Sequence, residues 1–256
     1  MNALRMRIIG GKVFLGEFEL FAEDAESLDG RIRELVSEQR PRLIVTPNVD
    51  QVLRLESSEV LLESYSTSSL RLLDGMPLVW LARLLGAKAA QRNTGADLLP
   101  RVVRMAASSN WTVALLGGTD EVGQLAASRL QQKYAGAVVN HVPFPMTSDL
   151  TSDECKSVLK SLLEMQANVV FVCLGSPKQE EWALTWWGSL PPALYVGAGA
   201  AIDFAAGGKK RAPLLLQRAG GEWVWRLMQE PRRLAKRYLL DGPRFLTVVI
   251  RSIRGM

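Results

Sequence analysis

Hydroxyl, amide and carboxylate side chains stand directly after two short apolar runs of the sequence. Thr46 and Asn48 follow the run Leu43–Val45, and Asp74 follows the run Leu70–Leu73. A carboxylate at the end of a strand is placed to act as a general base, which takes a proton from an attacking hydroxyl group. Aspartate followed by glycine also forms ordinary turns, so the local sequence leaves both interpretations open.

Glycine-rich turns follow further apolar runs and are candidates for binding a phosphate group. Gly117 and Gly118 come after the run Thr112–Leu116 and precede a helix-like segment. At such a position the free N–H groups of the first helical turn can face an anion. Glycine after a strand usually forms a simple turn, but the recurrence of such turns indicates a nucleotide or sugar-phosphate cleft at one sheet edge. The polar and glycine-rich turns are 46–48, 117–119, 175–180 and 197–199.

Residues that hold metals or act as strong nucleophiles are scarce. The chain has one histidine, His141, and two cysteines, Cys155 and Cys173. This excludes a site with two imidazoles and a disulfide framework. The sequence contains no Asp-x-Asp pair, no P-loop and no complete dinucleotide fingerprint. It therefore predicts neither a metal site nor a bound cofactor.

Short apolar runs alternate with longer amphipathic segments over most of the chain. This alternation is typical of βαβ units and a largely parallel sheet. Two runs around Gly10 and Gly11 predict a small N-terminal hairpin. We therefore predict an α/β fold: a Rossmann-like, doubly wound, largely parallel sheet with an N-terminal hairpin and a basic helical C-terminal appendage. The predicted strands are 43–46, 112–116, 137–141, 169–174 and 194–196, and the predicted helices are 77–85, 95–109, 119–133, 150–166 and 177–187.

The chain is long enough for one sizeable domain with an appendage. It has 256 residues, of which 48% are apolar and 22% are charged, so it can bury a core and is not a disordered chain. No run reaches the roughly 18 apolar residues of a membrane span. The N-terminal residues lack the apolar stretch of a signal peptide, so we expect a cytoplasmic protein.

The C-terminal part of the chain differs from the rest in charge. Residues 209–256 hold twelve Lys and Arg against three Asp and Glu, a net charge of +9, whereas residues 1–208 hold 19 against 23, a net charge of −4. We therefore predict a Rossmann-like domain over 1–208 and a basic appendage over 209–256. Charge and composition leave open whether the appendage binds a membrane surface or packs as helices on the domain.

A phosphate-binding or nucleic-acid-binding module that uses the basic tail is the alternative function. A binder of single-stranded nucleic acid interleaves aromatic and basic residues across a platform. Trp223 and Trp225 are the only hint of such a platform in the tail. We therefore predict no nucleic-acid partner.

Eight short motifs follow one another in a recognisable order. The chain resembles the WecG/TagA/CpsF glycosyltransferase family over roughly residues 6–240. The segments Pro-Lys-Gln-Glu at 177–180 and Arg-Ala-Pro at 211–213 are specific for this family. The motifs are Thr46-x-Asn48, Asp74-Gly75, Arg92-x-Thr94-Gly95-x-Asp97, Leu116-Gly117-Gly118, Leu174-Gly175-x-Pro177-Lys178-Gln179-Glu180, Gly197-x-Gly199-x-x-x-Asp203, Arg211-Ala212-Pro213 and Glu222-Trp223-x-x-Arg226.

The resemblance implies an enzyme, a UDP-sugar-dependent hexosyltransferase that inverts the anomeric centre. Its acceptor would be a saccharide linked to a polyprenyl diphosphate, and its pathway the synthesis of a cell-envelope polysaccharide or exopolysaccharide. N-acetylmannosamine, its uronic acid and glucose are all donor sugars of relatives, so the donor stays open. The enzyme would be peripheral on the inner face of the cell membrane, with an anionic membrane surface as a partner. Self-association into a homo-oligomer is left open.

The resemblance also implies roles for individual residues. Asp74 matches the family's proposed general base, and Thr46 and Asn48 are the other catalytic candidates. Without a metal, arginines and helix N-termini would stabilise the departing diphosphate. The expected substrate-binding residues are Arg92, Gly95, Gly117, Gly118, Gly175, Pro177, Lys178, Gln179, Glu180, Gly199, Asp203, Arg211, Arg226, Arg233 and Arg237.

Overall fold

The structure, a computed structural model, describes residues 4–208, 211–213, 215–216, 221–229, 231 and 242–255. Strands and helices alternate along most of this range. The strands are β1 Met6–Ile9, β2 Lys12–Leu15, β3 Phe18–Leu20, β4 Arg42–Val45, β5 Leu70–Arg71, β6 Thr112–Leu116, β7 Val138–Val142, β8 Val169–Val172 and β9 Leu194–Gly197. The helices are α1 Ala25–Ser37, α2 Val49–Leu55, α3 Glu59–Thr67, α4 Met76–Leu84, α5 Gly95–Ser109, α6 Asp120–Lys133, α7 Asp153–Glu164, α8 Lys178–Thr185, α9 Ala201–Ala205, α10 Glu222–Gln229 and α11 Phe245–Arg254.

Six of the strands form a parallel sheet in the order β5-β4-β9-β8-β6-β7. The prediction of an α/β fold with a largely parallel sheet is thus confirmed. β4 and β9 are far apart in sequence but pair directly, with Leu43 opposite Tyr195. The segments that follow β4, β5, β8 and β9 therefore meet at one edge, where the strands have their carboxyl ends. This is the edge at which doubly wound sheets bind ligands.

Alternate side chains of the strands belong to two separate cores. Leu43 and Val45 of β4 pack with α2, α3, α4, α7 and α8, whereas Ile44 packs with α1, α5, α6 and α9. Successive residues of a strand point to opposite faces, so both faces of this sheet are covered. Covering both faces explains why its strands are continuous apolar runs in the sequence.

A second, antiparallel sheet is formed by β1, β2 and β3. The predicted hairpin is confirmed, and β3 extends it by a third strand. Beyond β3, Phe21 forms a parallel bridge with Leu72, and its N–H donates a hydrogen bond to the carbonyl oxygen of Arg71 at 2.8 Å. The small sheet therefore continues the β5 edge of the large sheet.

The last helix of the chain packs against the first strand. Ser252 Oγ accepts the N–H of Met6 at 2.8 Å, and Phe245 and Val248 are buried in the core that also contains Met6. An ion pair of 3.5 Å between Arg251 and Glu56 adds a contact with the end of α2. One face of α11 is thus an ordinary packing element, although it lies within the predicted appendage.

The rest of the tail is described only in part. Arg226 belongs to α10, whereas Arg233 and Arg237 lie outside the described residues. Within the described ranges, no helix has both the length and the apolar character needed to cross a bilayer. The division at residue 208 stays a prediction.

Candidate active site

The two catalytic candidates that follow β4 each have a structural partner. Thr46 is buried, and its Oγ1 donates a hydrogen bond to the carbonyl oxygen of Gly197 at 3.0 Å. Asn48 caps α2, since its Oδ1 accepts the N–H of Gln51 at 3.1 Å. These bonds hold the ends of β4 and β9 side by side and orient the first turn of α2.

Asp74 lies beside this pair, just after β5. Its N–H donates to the carbonyl oxygen of Pro47 at 2.7 Å. The following loop returns to the same place, because the N–H of Asn93 donates to the carbonyl oxygen of Leu73 at 2.8 Å. Asp74 is half-buried. The structure therefore brings this carboxylate to the same strand ends as the two candidates that follow β4.

A network of buried polar side chains connects several elements of the site. Glu180 Oε1 accepts hydrogen bonds from Gln51 Nε2 at 3.0 Å and from Gln179 Nε2 at 2.9 Å. Gln179 Oε1 in turn accepts the N–H of Gly199 at 3.0 Å. The Tyr65 hydroxyl lies 3.5 Å from Gln51 Oε1. The network joins α2, α3 and α8 to the turn after β9.

Burial governs the protonation of Glu180, which is only 2% exposed. Desolvation raises the pKa of its carboxyl group above the ordinary value of 4.5, against smaller opposing effects of the Gln179 and Ser176 side chains. Desolvation, together with the nearby Glu180 carboxylate, also raises the pKa of Tyr65. In this structure Glu180 contacts side chains of the network, so its expected contact with a substrate stays a prediction.

Close packing requires two of the expected glycines. A Cβ atom on Gly95 would lie 2.5 Å from Ala198 Cα, because the start of α5 contacts the turn after β9. Gly117 has a φ of 109°, and a Cβ atom there would lie 2.9 Å from the carbonyl oxygen of Cys173. His141 Nε2 lies 2.9 Å from the carbonyl oxygen of Gly117, which fixes this turn further. The other expected glycines, Gly118, Gly175 and Gly199, also lie in turns at this edge.

The segment after β8 is anchored by Lys178. Its Nζ donates to the carbonyl oxygen of Thr147 at 2.8 Å and lies 5.0 Å from the ring centre of Phe144. Pro177 precedes α8 directly, and Asp203 is half-buried in α9. Lys178 thus ties the loop before α7 to the start of α8, and its contact with a substrate stays a prediction.

Four charged side chains, Arg92, Asp97, Arg211 and Glu222, form what we call the clasp between the body and the tail. Arg92 pairs with Asp97 at 3.1 Å and also with Glu222. Arg211 pairs with Asp97 at 2.7 Å, and its Nε lies 3.9 Å from Glu222. Thr94 Oγ1 donates to Asp97 at 2.8 Å. Both arginines, which we expect to bind a substrate, therefore contact carboxylates as well.

Sequence analysis does not single out Gln51, Tyr65 or Glu222 as site residues. Gln51 and Tyr65 lie on α2 and α3, two helices that the sequence pattern does not predict. Glu222 stands in a recognised motif, and a rare acidic residue in a strongly basic tail is a signal for an ion pair. That signal could have identified the clasp.

The described residues offer little for metal or thiol chemistry. Within the described ranges, no cluster of three or more His, Cys, Asp or Glu could hold a metal ion. Cys155 and Cys173 are both buried. Burial raises the pKa of Cys173 to about 12, so this thiol is not a thiolate nucleophile at neutral pH.

A half-buried carboxylate at the strand ends of a parallel sheet can act as a general base in a group-transfer reaction. The sequence profile of the Glycosyl transferase WecG/TagA/CpsF family matches residues 17–256. The chain belongs to this family, and the resemblance drawn from its motifs is confirmed. It is therefore a glycosyltransferase.

Several proteins of Staphylococcus aureus are similar to this chain. A protein of strain MRSA252, named N-acetylglucosaminyldiphosphoundecaprenol N-acetyl-beta-D-mannosaminyltransferase, is 30% identical over 211 residues, which cover 82% of this chain and 80% of the relative. Proteins of strains MW2 and COL carry the same name and are 29% identical over the same shares. The similarity thus extends over most of both chains.

Replacing Glu180 by glutamine tests the buried network, because glutamine has the same shape but cannot ionise. The raised pKa means that the folded state favours protonated Glu180. The contribution of Glu180 to the stability of the wild-type protein therefore falls as the pH rises from 4.5 through the folded-state pKa of this group. We expect Glu180→Gln to gain in Tm relative to wild type over that range and to differ little below pH 4.5. Thermal unfolding across pH measures this.

Two further variants complete this test. Glu164→Gln, at an exposed position of α7, should differ from wild type at any pH by no more than the about 0.3–0.5 kcal/mol of its surface ion pair with Lys160. Glu180→Ala should be less stable at every pH, since it leaves two buried amide donors without their acceptor at about 1–3 kcal/mol each. A Tm difference between Glu180→Gln and wild type that does not change with pH contradicts the argument.

A double-mutant cycle of Arg92→Ala and Glu222→Ala tests the clasp. Both side chains are mostly buried, and residues of one ion-pair network couple by about 0.5–3 kcal/mol. The exposed pair Lys160 and Glu164 serves as the control, with an expected coupling of about 0.3–0.5 kcal/mol. Urea unfolding of the single and double variants gives both values. Equal coupling in the two pairs would show that the clasp contributes no more than a surface ion pair.

Proposed function

We propose that the protein transfers a sugar from a UDP-sugar to a saccharide linked to a polyprenyl diphosphate, with inversion at the anomeric carbon. The names of the relatives support this proposal, since those proteins act on a diphosphoundecaprenol-linked acceptor. They also favour N-acetylmannosamine as the donor sugar, ahead of its uronic acid and glucose. The product belongs to a cell-envelope polysaccharide or exopolysaccharide.

The observation that carries the proposal is the position of Asp74. It follows β5, its N–H bonds the segment Thr46–Asn48 through Pro47, and it is half-buried. Inversion in one step requires a base that removes the proton of the acceptor hydroxyl as that oxygen attacks the anomeric carbon. In our mechanism Asp74 takes this proton, and Thr46 and Asn48 keep the strand ends in place around it.

The bond from the anomeric carbon to the UDP oxygen breaks in the same step, so negative charge grows on the diphosphate. Helix α6 begins directly after Gly117 and Gly118, and its N-cap is Thr119. The backbone N–H groups at the start of a helix favour an anion, whereas the Asp120 and Glu121 side chains of this first turn, which are exposed, oppose it. In our mechanism the start of α6 stabilises the leaving diphosphate together with arginines of the clasp and the tail, without a metal ion.

A donor screen tests the proposed activity directly. The full-length protein is incubated with a short-chain polyprenyl-diphosphate acceptor that is soluble in water and with one UDP-sugar at a time. Mass spectrometry then identifies the product. Transfer from UDP-N-acetylmannosamine is the expected result. Absence of transfer from every UDP-sugar would overturn the proposal, and binding to nucleic acid instead would favour the alternative module.

Asp74→Asn tests the general base. Asparagine keeps the size of the side chain but cannot accept the proton, so we expect turnover to fall by about 10²–10⁴-fold. Affinity for the UDP-sugar should stay within a few-fold, because binding does not need the proton transfer. The control is Asp153→Asn, at an exposed position in the first turn of α7, which should keep full turnover. Normal turnover in folded Asp74→Asn would refute the assignment.

Chelation tests the chemistry of the leaving group. If N–H groups and arginines stabilise the diphosphate, transfer should continue in excess EDTA at an unchanged rate. The initial rate with and without EDTA is compared after the protein has been dialysed. Loss of activity that Mg²⁺ or Mn²⁺ restores would show that a metal ion performs this task.

The appendage, residues 209–256, is proposed to bind an anionic membrane surface on the inner face of the membrane. Its described helices support this. α11 exposes Leu246, Ile250 and Ile253 on the side away from its packed face, and α10 exposes Trp223. A helix with an apolar face and flanking arginines suits the interface of a bilayer.

Sedimentation with vesicles that contain phosphatidylglycerol measures this binding. Each basic residue near an anionic surface contributes about 1 kcal/mol, so Arg254→Glu should weaken binding and added salt should weaken it further. Lys160→Glu, which removes an exposed cation of α7, is the matched control and should bind like wild type. Equal binding of wild type and Arg254→Glu would reduce α11 to a packing element.

A further inference from the structure

Helix α4 carries an exposed apolar stripe on the body of the protein, outside the basic tail. Leu78, Val79, Leu81 and Ala82 of this helix are buried, but Trp80 is 48% exposed and Leu84 is 62% exposed. Met76, Trp80 and Leu84 are four residues apart and therefore lie on one side of the helix. We call these three residues the α4 stripe. The proposed chemistry does not use it.

The α4 stripe starts at the catalytic edge. Met76 is the first residue of α4 and comes two residues after Asp74. With a rise of about 1.5 Å per residue, the stripe extends about 12 Å along the surface from there. A surface that contacts these side chains is therefore close to the place where the acceptor hydroxyl must arrive.

The chain segment that carries the exposed end of the stripe has only basic charged residues. Residues 75–91 contain Arg83 and Lys88 but no Asp or Glu, whereas Asp74 precedes this segment and Arg92, which follows it, is paired with carboxylates of the clasp. Arg83 and Lys88 are exposed, and Arg83 Nε donates to the carbonyl oxygen of Ala90 at 2.9 Å, which holds its side chain near the helix end. A tryptophan and a leucine flanked by cations match the head-group region of an anionic bilayer.

The small N-terminal sheet connects this stripe with the tail. Ile8 Cδ1 would lie 3.5 Å from a Cβ atom on Gly86, just after α4, and Met6 of the same strand bonds to Ser252 of α11. The residue that follows α4 and the helix α11 thus both lie beside β1. A lipid surface is also favoured over a protein, because two partly exposed side chains offer far less than the about 800 Å² that each partner buries in a stable protein interface.

We propose that the α4 stripe is a second lipid-contact surface: Trp80 and Leu84 enter the head-group region of an anionic bilayer and bring Asp74 to the lipid-linked acceptor. This inference rests on the proposed function, since a lipid-linked acceptor is what requires the site to face a membrane. The tail and the stripe together then fix the orientation of the site, which a single contact does not.

The double variant Trp80→Ala, Leu84→Ala tests the stripe against a matched control, Leu125→Ala, Leu163→Ala. The control removes two side chains of similar exposure, 45% and 60%, from α6 and α7. With vesicles of phosphatidylcholine and phosphatidylglycerol, the stripe variant should bind about tenfold more weakly than wild type. This is the effect expected when two apolar side chains that the bilayer would partly bury are removed. The control should bind like wild type.

Two acceptors distinguish lipid contact from damage to the site. The stripe variant should transfer sugar to the water-soluble short-chain acceptor at the wild-type rate and be slowed with a long-chain acceptor embedded in the vesicles. Equal losses with both acceptors would overturn the inference in favour of a catalytic role. If wild type transfers sugar to neither acceptor, the proposed function fails, whereas the sedimentation experiment still decides the lipid contact.

A labelled cysteine tests the stripe without removing both side chains. Because both native cysteines are buried, Leu84→Cys and, as its control, Leu163→Cys can be labelled with a polarity-sensitive thiol dye. Vesicles should shift the emission of the dye at position 84 to the blue and leave that at position 163 unchanged. No shift at position 84, or a shift that depends on protein concentration without vesicles, would overturn the inference, the latter in favour of self-association.

Discussion

Burial of one carboxyl group, that of Glu180, constrains the geometry of the candidate site. A group that is 2% exposed must find its hydrogen-bond donors inside the protein, or its burial is costly. Gln51 and Gln179 supply donors to its Oε1 from two different helices, and Gln179 also receives the N–H of Gly199, whereas Oε2 is buried without a hydrogen bond from the described residues. The starts of α2 and α8 and the turn after β9 therefore cannot shift independently. The segment between β4 and α2, which holds two catalytic candidates, is subject to the same constraint.

Close backbone approach and local charge balance bring the remaining segments to this edge. The start of α5 reaches the turn after β9 because residue 95 has no side chain that would collide with Ala198. Arg92, at that same start, would meet Arg211 of a tail with a net charge of +9 if no carboxylates stood between them. Asp97 and Glu222 separate the two cations. The clasp therefore allows the basic tail to pack beside the loop that holds Arg92, because its two carboxylates offset the charges of its two arginines.

The sequence predicts best what a periodic pattern enforces. The strand Thr112–Leu116 and the helix Gly95–Ser109 are predicted to the residue. A strand buried on both faces is a continuous apolar run, and in the structure Thr94 caps the start of the helix. α1, α2 and α3 carry many polar residues, and β5 has only two residues, so their patterns are weak. Their formation depends on tertiary packing.

The residues of the candidate site likewise fall into those that the sequence predicts and those that it does not. Residues at strand ends, such as Asp74 and Thr46, are predictable because parallel strands end at one edge. Gln51 and Tyr65 are not, because their importance comes from meeting Glu180 across 129 and about 115 residues of chain, and no local pattern records such a meeting. The glycines illustrate the same limit, since Gly95 is explained by Ala198, which is far away in sequence.

The position of the small N-terminal sheet between α11 and the end of α4 suggests a structural role for it. The three-stranded sheet does more than extend the β5 edge. Its strand β1 bonds to α11 through Met6 and lies beside Gly86, which follows α4. In the proposed membrane contact, the α4 stripe and α11 must keep a fixed relative orientation, which two helices joined only by a connecting chain would not do. A shared strand supplies that rigidity, because hydrogen bonds to β2 fix its own position. In the proposed membrane-bound state, the sheet would therefore fix the catalytic edge relative to the membrane plane; no helix in the described part of the chain is long and apolar enough to span a bilayer.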